Sequence, residues 1–362
     1  MRMKKRILYA FWGHLADKRV KNGNPLSAPN GNAIYSWTII DAFQKLGYDV
    51  WRGMPDRDEE YVQKRGRFAF AAFSPQSRWR TYNTSQQVQF DQSWNCQWPE
   101  VDVVLLEWRF PIPGRNCGIS ERDPAFDPDL IIQDRLIEHY RSKGTPIIVF
   151  DLDLEMSQKD EEEVDWVFEL GFSRGPEHHV DPMFCWEELS QFQTFNPKKE
   201  IAYIGNRYDR DGQFDKYLGQ DLGLLARVYG NWLEKDRDSA IKWPHIRFGP
   251  RIHPESFHEV YMQAAVVPLI LRDKYNEYGW MTFRFVESLL FGSIPVLPIE
   301  FQSPMTYVPP RLRIGSQEEL VEIAKEFAED WGGRKEVRKK IIEYCRFLDA
   351  SVFAQKIDQL IF

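Results

Sequence analysis

The chain has 362 residues, a formal net charge of −7, 28% charged residues and a mean hydropathy of −0.51. That is long enough for two domains with separate cores, and no apolar stretch approaches the roughly 20 residues of a membrane span. The basic start at residues 1–6 lacks a signal-peptide apolar region, so a cytoplasmic protein is expected. Cys96, Cys117, Cys185 and Cys345 form no CxxC pair and the seven histidines are dispersed, which argues against a zinc site or a disulfide framework.

Residues 7–13 (ILYAFWG) predict a short buried strand closed by Gly13, followed by a polar loop to residue 30. A helix then starts at Asn32, with Ile34, Trp37, Ile40, Ala42, Phe43 and Leu46 on one side and Gly47 as its stop. With a strand at 48–51 this is a βαβ opening, which predicts a parallel sheet. Gly13 and the NGNA turn at 30–33 would offer free backbone N–H groups to an anion above that sheet. The GxGxxG and GKS/GKT fingerprints are absent, which argues against dinucleotide dehydrogenases and P-loop enzymes.

Through Arg80 there are 15 Lys and Arg against 7 Asp and Glu, a local +8 that leaves −15 for the remainder. Such asymmetry suits a polyanion meeting one face, although solvated surface gives the same imbalance. Residues 56–99 lack periodicity but interleave Lys64, Arg65, Arg67, Arg78, Trp79, Arg80 and Tyr82 with FAFAAF, Trp94 and Trp98. Arginines alternating with aromatics can grip phosphates and stack on bases or sugars; the same composition also serves an excursion that packs its own rings.

A strand at 101–106 delivers Glu107, Trp108 and Arg109 at its carboxyl end, where ligands of open α/β sheets gather. A helix at 128–143, capped by Asp127 and stopped by Gly144, leads to a strand at 146–150 that delivers Asp151 and Asp153. Two carboxylates at that spacing can hold a metal, or one can act as a base whose pKa its neighbour raises. A plain helix cap is the alternative for Asp153. Residues 165–170 fit a strand or part of a helix, and 171–199 read as a connection between domains.

The second half opens with a strand at 201–204 followed by GNRYDRD, where Arg207 is the candidate phosphate ligand and Arg210 the salt-bridged alternative. A helix at 214–232, a strand at 245–248, a helix at 256–263 and a strand at 264–271 follow, and Arg272 and Lys274 leave the last strand in a loop with Tyr275, Tyr278 and Gly279. Residues 278–298 carry Trp280, Phe283, Val286, Leu289 and Leu290 at helical spacing, then Gly292, then an apolar strand at 294–297. Arg284 and Glu287 are three apart and share a helical face. They either pair with each other or, more specifically, hold phosphate oxygens and two adjacent ribose hydroxyls. A Pro-rich loop at 300–314, a helix from Ser316 to 330 and a final helix at 335–362 broken near Leu348 complete the chain.

The run FRFVESLLFGSIPV at 283–296 resembles the nucleotide-sugar half of GT-B glycosyltransferases, including exostosin-like and spore-maturation-like members. The resemblance implies an α/β protein of two Rossmann-like domains facing across a cleft: an acceptor domain at 1–195, a donor domain at 196–345, and a last helix at 346–362 that returns to the first domain. It implies that Glu287 holds the donor ribose, although the companion Glu eight residues earlier is replaced by Gly279. Arg207, Arg272 and Lys274 would neutralise the diphosphate, with Arg284 and Gly13 assisting, and no metal would be required.

The strand VFDLD resembles three motifs. It is similar to the FDxD of haloacid-dehalogenase-like phosphatases, but Glu155 stands where that family has Thr or Val; it is similar to the DxD of metal-dependent glycosyltransferases; and its surroundings resemble phage DNA α-glucosyltransferases, with Leu152 in place of a His. The last resemblance makes Asp153, with Asp151, the catalytic carboxylate that accepts the acceptor hydroxyl's proton or stabilises positive charge on the sugar ring, and UDP-glucose the donor. It points to double-stranded DNA with hydroxymethylated bases as acceptor, met by Arg78, Trp79, Arg80 and Arg109, with glycan and small-molecule acceptors left open. A magnesium-dependent phosphatase and a non-catalytic binding module are the rival classes.

Overall fold

The structure is a computed structural model that describes residues 5–10, 31–55, 68–72, 88–89, 98–108, 128–181, 200–233, 238–252 and 257–361. It divides into two compact units, one of Met1–Leu170, Pro176–Pro182 and Ala350–Phe362, the other of Gly171–Gly175 and Met183–Asp349. The chain thus changes unit around residues 170–182 and again after 349, where the expected boundaries were near 195 and 346.

The first unit is built on β1 (Arg6–Ala10), β2 (Asp49–Pro55), β5 (Val103–Glu107), β6 (Ile147–Asp151) and β7 (Trp166–Glu169), all parallel, with β3 (Phe68–Ala72) and β4 (Val88–Gln89) antiparallel at one edge. The sheet order is β4-β3-β2-β1-β5-β6-β7. Helix α1 (Gly31–Lys45) joins β1 to β2 and ends where Gly47 adopts φ +88°, a left-handed value that favours glycine. Helix α2 (Pro128–Ser142) lays Leu136, Ile137 and Tyr140 on a core of Leu8, Ala10, Val104, Leu106, Ile147 and Val149. After the one-turn α3 (Gln158–Glu161), residues 166–169 resolve as strand rather than helix, with three of four side chains buried. The aperiodic excursion at 56–99 supplies β3 and β4, which its composition did not announce. Gly13, Arg78, Trp79, Arg80 and Arg109 lie outside the described residues.

Among the described residues the second unit holds six parallel strands: β8 (Glu200–Ile204), β9 (Leu225–Tyr229), β10 (Arg247–Gly249), β11 (Val266–Pro268), β12 (Ile294–Pro298) and β13 (Arg313–Ile314). Their order is β10-β9-β8-β11-β12-β13. Counted within the unit, this places the first and fourth strands side by side, the doubly wound arrangement whose crossover reverses direction between them. The helix expected at 214–232 is instead α4 (Asp211–Leu218) followed by β9. A side chain at Gly219 would collide with the Asp215 carbonyl, Gly223 takes φ +58°, and Leu225–Tyr229 alternates buried and half-buried residues as a strand does. Shorter elements follow: α5 (Ser239–Lys242), α6 (Phe257–Tyr261), α7 (Asp273–Glu277) inside the expected loop, and α8 (Arg284–Leu290).

The carboxyl-terminal helices are α9 (Gln317–Glu329), whose N-cap Ser316 accepts from Glu319 N, α10 (Trp331–Tyr344), and α11 (Ala350–Ile361) after a 3₁₀ turn at Cys345–Leu348. Helix α11 belongs to the first unit and packs on α1. Its Phe353 ring meets Phe43, Phe150 and Phe168 at centroid distances of 6.1, 5.1 and 6.1 Å. Lys5 Nζ lies 2.7 Å from Asp358 Oδ1 and the Tyr48 hydroxyl donates to the same carboxylate, fixing the helix end beside β1. Among the described residues no helix is long and apolar enough to cross a membrane.

Candidate functional site

In an open α/β sheet a ligand crevice is expected outside the carboxyl ends of the strands, at the point where the order reverses. In the second unit that point lies between β8 and β11. Strand β8 ends at Ile204, and the chain turns at Gly205, whose N–H bonds the Tyr229 carbonyl at 2.8 Å. The Ile204 carbonyl accepts from Arg284 Nε, and the Arg284 guanidinium stands 5.2 Å above the Tyr203 ring. The Tyr203 hydroxyl in turn donates to the Ile270 carbonyl beyond β11 at 3.0 Å. A Cβ at Gly205 would sit 2.6 Å from Arg284 Nη2 and 2.7 Å from the Tyr203 hydroxyl, so the guanidinium has room only because position 205 carries no side chain.

Arg210, 6% exposed, points into the same place. Its Nε donates to the Ile270 carbonyl at 3.2 Å, and its Nη1 to the Asn206 and Tyr208 carbonyls at 3.0 and 2.9 Å. Among the described residues no carboxylate pairs with it. Burial lowers its pKa, and the neighbouring Arg284 and Arg272 lower it further. Arg272, the N-cap of α7 beyond β11, donates from Nη2 to Asp209 Oδ2 at 2.9 Å and lies 5.4 Å from the Tyr275 ring centre. Its Nε is buried with no hydrogen-bond partner. Three guanidiniums therefore meet at the reversal of the sheet, against the carboxylates of Asp209 and Glu287.

Glu287 occupies the first turn of α8, one turn from Arg284 on the same face, and is 7% exposed. Burial pushes its pKa up to about 7, against the pull of Arg284 and of the Tyr261 hydroxyl. That hydroxyl is fully buried and approaches the carboxyl without completing a hydrogen bond of regular geometry. Burial opposes the charge of Arg284, but Tyr203, Tyr261 and Glu287 outweigh it and hold its pKa above the ordinary guanidinium value. Behind α8 stand two arginines that local spacing did not single out. Arg338 Nε donates to the Leu289 carbonyl at 2.9 Å, while Arg334 Nη2 donates to the Gly292 carbonyl and, at 3.0 Å, to that of Ala264. Cations suit the carbonyl end of a helix, and these two fix the helix that carries Arg284 and Glu287. Burial lowers both pKa values to about 10.

The ion pairs fall on Arg207, the phosphate candidate, rather than on Arg210, which was expected to be the salt-bridged one. Arg207 is the salt-bridged residue: Nε and Nη2 reach the two Asp211 oxygens at 2.8 and 2.5 Å, and Nη1 reaches Asp238 at 3.0 Å and Ser239 Oγ at 3.1 Å. Its pKa is raised, first by the Asp211 hydrogen bonds and then by those to Asp238. Lys274 is partly buried on the first turn of α7, two residues from Arg272.

In the first unit the order reverses between β1 and β5. There the buried Tyr9 hydroxyl donates to Glu107 Oε1 at 2.7 Å. Asp151, 1% exposed at the end of β6, accepts from the Glu155 and Met156 backbone N–H groups at 2.9 and 3.1 Å, which fixes both of its oxygens against the turn that follows. Asp153 is exposed on that turn, next to Leu154 at φ +56°. It is not the helix cap: Ser157 caps α3 in a capping box with Asp160. Among the described residues no group of three or more His, Cys, Asp or Glu stands where it could hold a metal ion.

No protein-family model matches the sequence, and no curated protein matches it. Solved structures do. The DNA-modifying enzyme β-glucosyltransferase, studied with and without its substrate uridine diphosphoglucose, matches with a TM-score of 0.55 and 15% identity, covering 98% of this chain and 99% of its own. The phage T4 enzyme in complex with UDP-glucose matches at 0.55 and 16% identity, and its complex with UDP and Mn²⁺ at 0.57 and 16%, each over 98% of this chain and 99% of the other. At such identities the likeness establishes the fold: both units together form the two-domain α/β architecture of the GT-B type that the sequence led one to expect.

Proposed function

We propose that the protein is a nucleotide-sugar-dependent glycosyltransferase whose second unit holds the donor. The observation that carries this reading is the meeting of Arg210, Arg272 and Arg284 with Glu287 at the β8–β11 reversal, in a fold matched by enzymes that bind UDP-glucose. A diphosphate offers oxygens to all three guanidiniums, and charge developing on the departing nucleotide is stabilised by cations already in place. Glu287, when ionised, accepts from the two adjacent ribose hydroxyls. Glucose is the preferred sugar, since the matched enzyme uses UDP-glucose.

The first unit supplies the acceptor side. The base that takes the acceptor proton is one of the carboxylates that its strands deliver, Asp151 or Asp153. A hydroxymethylated pyrimidine in duplex DNA is the acceptor we favour, because the matched enzyme modifies DNA and the leading segment of this chain carries the local +8.

Transfer of labelled glucose from UDP-glucose to hydroxymethylated duplex DNA tests the reading, with unmodified duplex as control. Label in the modified duplex alone is the expected result. UDP release without DNA labelling keeps the donor assignment and removes the acceptor; no binding of any nucleotide sugar removes both. Asp151→Asn and Asp153→Asn, assayed in parallel, identify the base as the one whose loss abolishes transfer while leaving UDP affinity intact.

A further inference from the structure

The donor reading leaves one feature of the site unused: a carboxylate that already sits on one of its cations. Asp209 is 73% exposed at its side chain, yet it is not free in the loop; Oδ2 lies 2.9 Å from Arg272 Nη2. It also holds a left-handed backbone angle, φ +46°, that only glycine, asparagine and aspartate visit readily. The loop that leads to it is turned inward on a cation as well, because Arg210 Nη1 donates to the Asn206 and Tyr208 carbonyls just before it. Residues 206–210 therefore supply substitute acceptors for two of the three guanidiniums, neutral carbonyls for Arg210 and a carboxylate for Arg272.

An anion that needs Arg272 has to displace Asp209 and overcome its charge. We propose that Asp209 is a built-in competitor for the anion site, one that occupies Arg272 in the donor-free protein and sets how tightly a diphosphate-bearing ligand is held. The proposal rests on the donor assignment of this site for its biological meaning, but inorganic pyrophosphate tests it without that assignment. The arrangement keeps the arginines compensated without a ligand and lets weak anions lose the contest. A ligand with several phosphate oxygens wins it by engaging Arg210 and Arg284 together.

Isothermal titration of pyrophosphate, UDP, UDP-glucose and uridine into the full chain decides the matter, comparing the unaltered protein with Asp209→Asn. Asparagine tolerates the same backbone angle, so folding is not at stake, and Asp209→Gly gives a second variant with no strain at φ +46°. Removing an exposed ion-pair competitor is expected to tighten pyrophosphate and UDP by about 2- to 5-fold, with uridine unchanged and the gain reduced at 1 M salt. In an Arg272→Gln background the gain from Asp209→Asn should disappear. Equal or weaker anion binding by both variants overturns the proposal; weaker binding specifically when Mn²⁺ is added would mean that the carboxylate serves the ligand rather than opposing it. Tightened pyrophosphate with no preference for UDP-glucose upholds Asp209 and defeats the donor reading, whereas unchanged pyrophosphate with tight UDP-glucose does the reverse. Absence of anion binding in every variant defeats both.

Discussion

Replacing Glu287 by Gln should make the donor-free protein more stable at alkaline pH while removing donor affinity. The carboxyl is 7% exposed and its pKa stands at about 7 against an ordinary 4.5. A folded-state pKa above the unfolded one means that the fold favours the protonated form. The penalty is absent below the unfolded value, grows as pH rises, and is complete above the folded value. At about 1.36 kcal/mol per unit, the shift costs roughly 3 kcal/mol at pH 8 and under about 1 kcal/mol at pH 5. Glutamine keeps the shape without the charge, so Glu287→Gln should recover most of that at pH 8, less whatever Arg284 loses when its neighbour becomes neutral.

Donor affinity runs the other way. If, as proposed, ribose hydroxyls donate to the ionised carboxylate, UDP binding by the unaltered protein should weaken by up to about tenfold per unit as pH falls below 7, and level off above it. The variant should bind weakly at every pH. Urea denaturation at pH 5 and pH 8 reads the first effect, and calorimetric titration of UDP between pH 5.5 and 8.5 the second. If the variant is equally destabilised at both pH values, or if the unaltered protein binds UDP with no pH dependence, Glu287 is not a buried carboxylate held ready for a ligand.

Three further outcomes are expected. Arg210→Ala should weaken UDP by about tenfold or more, since hydrogen bonds to charged groups contribute about 1.5–3 kcal/mol, while Arg207→Ala, which breaks the bridges to Asp211 and Asp238, should lower the melting temperature with a much smaller change in UDP affinity. Gly205→Ala drives a methyl group to within 2.6 Å of Arg284 Nη2 and should cost donor affinity at unchanged far-UV circular dichroism. Phe353→Ala removes a ring packed against Phe43, Phe150 and Phe168 and should cost about 3–5 kcal/mol; a loss under about 1 kcal/mol in denaturant would show that α11 does not hold the first unit together.

How much of this was legible beforehand depends on how far apart in the chain the cooperating residues are. Apolar runs marked β1, β5, β6, β8 and β12, all but β5 with a glycine close by, because a buried parallel strand needs little besides its own residues. Strand β9 was lost because Leu225–Tyr229 was absorbed into a longer helical pattern despite the glycines at 219 and 223. The run FAFAA carried no period from which a strand could be told apart from a packed loop. Arg334 and Arg338 resemble the solvated charges of any amphipathic helix; only carbonyls 42 and 49 residues away reveal them as buried.

The site itself shows the same division. Arg284 and Glu287 announced themselves because a helical turn brings residues three apart together, so the pairing is a local fact. Arg207 and Arg210 could not be told apart on that basis, since each follows the same strand within GNRYDR and each has an acidic residue nearby in the chain. What separates them is distant: Asp238, 31 residues on, completes the pairing of Arg207, whereas the Ile270 carbonyl, 60 residues on, draws Arg210 to the sheet reversal. Arg284 reaches the same reversal through a carbonyl 80 residues before it. Local spacing can therefore nominate the members of such a site, but which cation is left for a ligand is decided by partners that only the closed sheet brings within reach.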